Sequence, residues 1–140
     1  MKKIIVTFFL LLLSFLFIIG EMFIPFIGEN LGGFFFLAPM LLFCLLGVVL
    51  LLLTLRQKIE GKLKIAFLLT SSSAVGFFIF VILHNLFYAL SQIVKEILVL
   101  NYLAEALHAI FFLIAVIVCP VGFIAGSTTI IIFLLRNKIN

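Results

Sequence analysis

Aspartate and tryptophan are absent from this chain of 140 residues, and charged residues of every kind make up only 10% of it. Without aspartate, every catalytic mechanism built on that side chain is excluded. The scarcity of charge excludes more. An ordinary soluble domain is about 25% charged and about 45–50% apolar, whereas 67% of this chain is hydrophobic. A globule of this length has too little interior to hide the excess, so its surroundings must be apolar as well. That rules out a soluble enzyme, a nucleic-acid-binding domain and a disordered tail. HExxH, GxSxG and a phosphate-binding glycine loop are also missing, and with them the commonest metallohydrolase, serine-hydrolase and nucleotide-binding signatures. The two cysteines, Cys44 and Cys119, form no CxxC pair, so they read as small apolar packing residues rather than a redox couple.

The few charges that are present divide the chain. Residues 4–20, 30–55, 65–94 and 106–135 carry no Lys, Arg, Asp or Glu. A membrane-spanning helix needs roughly 20 apolar residues at about 1.5 Å each. These stretches therefore predict an all-α bundle of four transmembrane helices, at about 4–22, 34–55, 65–90 and 106–135, in one integral membrane domain covering 1–140. Barrel strands would alternate apolar and polar residues, but 41–55 is apolar on every side. Lys2, Lys3, Arg56, Lys58, Lys62, Lys64, Arg136 and Lys138 all fall at one end of such a bundle, and only Lys95 falls at the other, with Glu21, Glu29, Glu96 and Glu105. The positive-inside rule makes the basic end cytoplasmic and puts both termini inside, in a plasma membrane. Tyr88 and Tyr102 then sit at the outer interface. The first 20 residues also resemble a signal peptide, but Ile18 fits poorly at the third-last position before a cut after Gly20. A retained helix is the reading adopted.

Several segments have a structural and a functional reading. The inner loop 56–64 is basic, either as a topology signal or as an anionic-lipid site. The outer segment 21–33 combines helix breakers (Pro25, Gly28, Gly32, Gly33) with apolar Phe23, Ile24, Phe26 and Ile27, which suits a greasy surface loop or a lid over an outer cavity. Ser72 and Gly76 in the third helix share a face that would let another helix approach closely. Pro120 in the fourth helix removes a backbone donor and predicts a kink near 116–120.

Chemistry, if there is any, concentrates at the outer ends of the third and fourth helices. His84, Asn85 and Tyr88 cluster on one helix. Asn101, Glu105 and His108 follow an i, i+4, i+7 stripe on the next. Glu105-x-x-His108 is half of a di-iron motif, which bundles use twice and with two further glutamates. Counted from Lys64, His84 stands about 30 Å up its helix; counted from Arg136, His108 stands about 42 Å up. A straight fourth helix would then separate the histidines by about 12 Å in depth, so a shared metal or bis-histidine haem requires a kink or tilt. The local alternative pairs Glu105 with His108 and leaves His84 bonded to a backbone carbonyl or to Tyr88. No ionisable group lies in the middle of any helix, where a proton-coupled transporter would place a carboxylate.

The segments LLTSSSAVGFFIFVILHNLFYAL (68–90) and Glu105 to Gly126, including ALHAIFFLIAVIVCPVGFIAG, resemble parts of small, uncharacterised prokaryotic four-helix membrane proteins. The resemblance covers about a third of the chain and is most specific at His84-Asn85-Leu86-Phe87-Tyr88. It implies an integral membrane protein with the same helix count, and no particular activity.

The expected protein is thus non-enzymatic: a membrane subunit or packing partner, without a cofactor and without nucleic acid. Its partners would be the lipid bilayer and another membrane protein or further copies of itself. The alternative is a small-molecule or ion binding or transport protein with an outer polar pocket of His84, Asn85, Tyr88, Glu105 and His108. Which metal such a pocket would take, if any, is left open by the sequence.

Overall fold

The structure, a computed structural model, describes residues 1–23 and 32–139, with side chains for 1–21 and 38–136. It is all-helical: α1 (Lys2–Phe23), α2 (Gly32–Arg56), α3 (Gly61–Ile93), α4 (Leu98–Leu113), a π-helical turn (Ile114–Val118) and α5 (Cys119–Ile139). The last three run on as one rod, so the described residues contain four spans long and apolar enough to cross a membrane: Lys2–Glu21, Ala38–Arg56, Gly61–Ile93 and Leu98–Arg136. Of the expected lid or surface loop 21–33, residues 21–23 instead continue α1 and 32–33 open α2, while 24–31 lie outside the described residues.

The third and fourth spans are longer than charge counting predicts. α3 begins at Gly61 rather than near 65, and α4 at Leu98 rather than 106. A charged residue ends the apolar stretch but not the helix, because Lys and Glu are good helix formers and continue it into the interface. What ends the helices is tight turning of the chain. Gly61 takes a positive φ of 66° at the entry to α3, which glycine adopts without steric cost. Between α3 and α4 only residues 94–97 intervene, closed by Val94 N–H on the Leu90 carbonyl and Ile97 N–H on the Val94 carbonyl.

Successive spans run antiparallel, which gathers Lys2, Lys3, Arg56, Lys58, Lys62, Lys64 and Arg136 at one end. All four spans meet at a knot of phenylalanines. Phe15 of α1 lies 4.5 Å from Phe123 of α5 and 5.9 Å from Phe43 of α2, ring centre to ring centre. Phe43 lies 5.3 Å from Phe123 and 6.3 Å from Phe77 of α3. Leu41, Leu52, Leu103, Val121 and many other large apolar side chains point outward, the arrangement expected where lipid is the solvent.

Backbones approach closely where small residues face each other. A Cβ added to Gly122 would come within 2.5 Å of Ser73 Oγ, and one added to Gly126 would meet Thr70 and the Ala66 carbonyl. A Cβ on Gly47 of α2 would lie 2.9 Å from that of Ala74. The close-packing face of α3 is therefore Ala66, Thr70, Ser73 and Ala74. Of the expected pair, Gly76 lies against Cys119, while Ser72 is exposed and bonds the Leu69 carbonyl. Thr54, Thr70 and Ser71 are buried and donate to the carbonyls of Leu50, Ala66 and Phe67 of their own helices, which satisfies each hydroxyl without a partner helix. Both cysteines are free.

The π turn occupies the stretch where the sequence predicts a proline kink. Cys119 N–H bonds the Ile114 carbonyl, five residues back. Widening the turn by one residue just before Pro120 is one way a helix absorbs the missing donor.

Candidate functional site

His84 on α3 and His108 on α4 meet face to face, with ring centres 4.0 Å apart and planes inclined by 21°. Each ring also reaches across to the other helix. His84 Nδ1 is 3.1 Å from the His108 carbonyl oxygen, and His108 Nδ1 is 3.2 Å from the His84 carbonyl oxygen. A carbonyl only accepts, so both Nδ1 atoms carry the proton and donate, and in a neutral ring Nε2 is left as the acceptor. The result is a reciprocal clasp between two antiparallel helices at the outer end of the bundle. Phe112 flanks His84 at 5.2 Å and Tyr88 flanks His108 at 5.2 Å. Beside the clasp, Phe111 packs on Phe80, one turn deeper than His84, and on Phe87, one turn nearer the outer end.

The 12 Å depth gap expected from the sequence is absent, and the register explains why. Gly126 faces Thr70, Gly122 faces Ser73 and Cys119 faces Gly76. Continued toward the basic end at that register, Arg136 falls level with Glu60 in the α2–α3 connection, about 6 Å below Lys64. The two charges used as zero points do not lie at one depth, and correcting for that removes about half of the gap; the rest arises across the π turn, where residues 126 to 108 of the fourth span match only 70 to 84 of α3. Asn85 and Glu105, the other two residues of the expected pocket, are not drawn into the clasp. Asn85 Nδ2 donates to the Val81 carbonyl of its own helix, and Glu105 accepts from Asn101 rather than pairing with His108. Both are exposed. His108 has no need of Glu105, since its Nδ1 proton already has a carbonyl.

Two imidazoles bound to one metal point in-plane lone pairs at a common atom about 2.0–2.1 Å from each. Rings nearly parallel and 4.0 Å apart have no such common point, so the clasp does not fit one shared ion. Among the described residues there is no group of three or more His, Cys, Asp or Glu placed to hold a metal.

Beneath the clasp lies a cavity of about 420 Å³, within the usual range for small-molecule sites. His84 borders it at the outer end, beside Phe112 and Val81. Phe15, Phe43, Phe77 and Phe123 border it below, and Ile18, Ile19 and Met40 close the side toward α1 and α2. Ala115 and Val116 of the π turn, with Cys119 and Pro120, form the fourth wall. Among the described residues of this lining, the polar side-chain atoms besides those of His84 are those of Ser73 and the sulfurs of Cys119 and Met40. The expected pocket was polar and outer; the space found is apolar and lies between the spans, open at the bundle surface beside Ile19, Phe112 and Val116, with His84 at its edge.

No protein-family model matches this chain, and neither does any curated protein or solved structure.

Sequence reasoning picked out His84 and missed the cavity, because no single residue type marks it. Its walls are ordinary Phe, Ile, Val and Ala. The one legible signal was the Cys119-Pro120 step, which foretold irregular backbone at the wall but not the space beside it.

Proposed function

We propose that this protein is a non-enzymatic integral membrane protein that binds an apolar ligand, such as a lipid acyl or isoprenoid chain, within its helix bundle. The observation that carries this reading is the apolar cavity of about 420 Å³ bordered by His84. Its chemistry suits hydrocarbon with at most one polar atom, which neutral His84 Nε2 would accept from. The π turn supports the same reading: π segments recur at functional sites, and here Ala115 and Val116 are part of the wall. In this reading the π turn and Pro120 bend the fourth span around the ligand. The protein lies in a plasma membrane of prokaryotic type with both termini cytoplasmic, as the basic residues gathered at one end suggest.

The other reading, a subunit or packing partner of a larger membrane assembly or homo-oligomer, calls for a small-residue face left free on α3. Thr70, Ser71, Ser73 and Ala74 are instead buried within this chain, which moves the weight to ligand binding.

Ala115 is 1% exposed and lines the cavity, so Ala115→Phe fills it from the wall. Organic extraction of the purified wild type should yield a near-stoichiometric apolar molecule. Ala115→Phe, eluting as the same folded species, should yield little or none. Equal recovery from both proteins, or none from the wild type, contradicts the proposal.

A further inference from the structure

A second crevice, of about 540 Å³, lies between α1 and α2, and it contains two polar atoms with no hydrogen-bond partner among the described residues. Glu21 and Ser14 are each only 7% exposed. They are seven residues apart, two helical turns, and so lie on one face of α1. The two atoms are Glu21 Oε2 and Ser14 Oγ. The remaining lining is apolar: Leu10, Leu13 and Phe17 of α1, and Ala38, Pro39, Leu42 and Leu46 of α2. Pro39 brings no backbone N–H to the facing wall. On α1 itself the basic side chains are Lys2 and Lys3, about 27 Å away at the opposite end.

A buried carboxyl oxygen without a donor is among the costliest groups a protein can keep. The chemistry that would complete it is a cationic N–H donor, since a charge-assisted bond to a carboxylate is about twice as strong as a neutral one. Position fixes the rest of the ligand. Glu21 stands at the outer end of α1, where a head group arrives from water. Leu13, Phe17 and Leu42 are exposed on the bundle surface, so an apolar body has lateral access from the bilayer. We infer that this crevice binds an amphiphilic amine, with its ammonium head on Glu21 and its apolar body lying along Phe17, Leu13 and Leu42 as far as Ser14. This site is separate from the His84 cavity and does not depend on it.

The probe is radiolabelled dodecylammonium, equilibrated with the full chain in lipid nanodiscs and corrected with protein-free discs; dodecanol serves as the uncharged analogue. The wild type should bind dodecylammonium saturably at one site for which excess dodecanol, a fit for the His84 cavity, does not compete. Glu21→Gln, which keeps shape and removes charge, should weaken binding about tenfold or more. Leu42→Trp, which fills the crevice without touching Glu21, should abolish it and decides the matter if Glu21→Gln fails to fold. Ala115→Phe should leave it unchanged, which separates this site from the cavity. Unaltered binding in Glu21→Gln or Leu42→Trp, or no saturable binding by the wild type, would overturn the inference.

Discussion

His84 and His108 each make one bond across the α3–α4 contact, and each bond ends on the backbone of the other residue. Replacing either by Phe keeps a ring in the stack but removes one donor, leaving a carbonyl that the helix already engages. Interhelical hydrogen bonds in membranes average about 0.6 kcal/mol, so each single change should lower stability by about 0.5–1.5 kcal/mol. The two changes should not be additive, since the second ring position was set by the first. Unfolding titrations in mixed micelles, run as a double-mutant cycle, check this; strictly additive losses would mean that the clasp is not a unit. Both histidines were legible in the sequence as the only imidazoles, near the outer ends of consecutive spans. Their meeting was not, because depth was counted from Lys64 and Arg136, and only packing register shows that these charges lie at different levels. Glu21 failed for another reason. It was read as an end-of-span charge, and burial is a property of the neighbours rather than of the residue.

Among the helices, α3 is the hub. It packs on α2 at Gly47 and on α5 at Gly122 and Gly126, and α4 is joined to it by the short turn 94–97. Gly126 is the tightest of these approaches, since a Cβ there meets both Thr70 and the Ala66 carbonyl. Backbone cannot give way as a flexible side chain can, so Gly126→Val should destabilise the protein by about 1–3 kcal/mol through overpacking. Gly20, with nothing within 4 Å of its added Cβ, should accept alanine with little change. Thermal melts of the two variants make the comparison, and equal melting would argue that α3 and α5 do not pack through these glycines. Four helices could be counted from four charge-free stretches because hydrocarbon thickness dictates their minimum length. The helix ends could not, because Lys62, Lys64 and Glu105 mark where the apolar stretch stops while the helix continues. Of the expected small-residue pair, Gly76 does meet the fourth span at Cys119, but Ser73 rather than Ser72 is its neighbour on that side. A step of one residue turns a helix by about 100°, and sequence spacing alone does not say which side meets α5.

At the scale of the whole molecule, charge and shape make separate statements. The antiparallel spans gather the basic residues at one end, which the positive-inside rule assigns to the cytoplasm. A reporter fused after Lys138 should therefore be cytoplasmic, and one inserted in the turn at Lys95-Glu96 external; an external C-terminus would invert the orientation proposed here. Shape carries the functional proposal: a phenylalanine knot joins the four spans across the middle, and an apolar space lies under the histidine clasp. An apolar space accepts hydrocarbon more readily than water, so what fills it is the central question. The most direct measurement is crystallography of the protein grown in a bilayer phase doped with a bromine-labelled acyl-chain lipid, located by anomalous scattering. The account predicts bromine inside the bundle, against Ala115, Phe112 and Val81, with the lipid's polar atom toward His84. Bromine found only along outward faces such as Leu41, Leu52 and Val121, with the interior space closed by side chains, would contradict it.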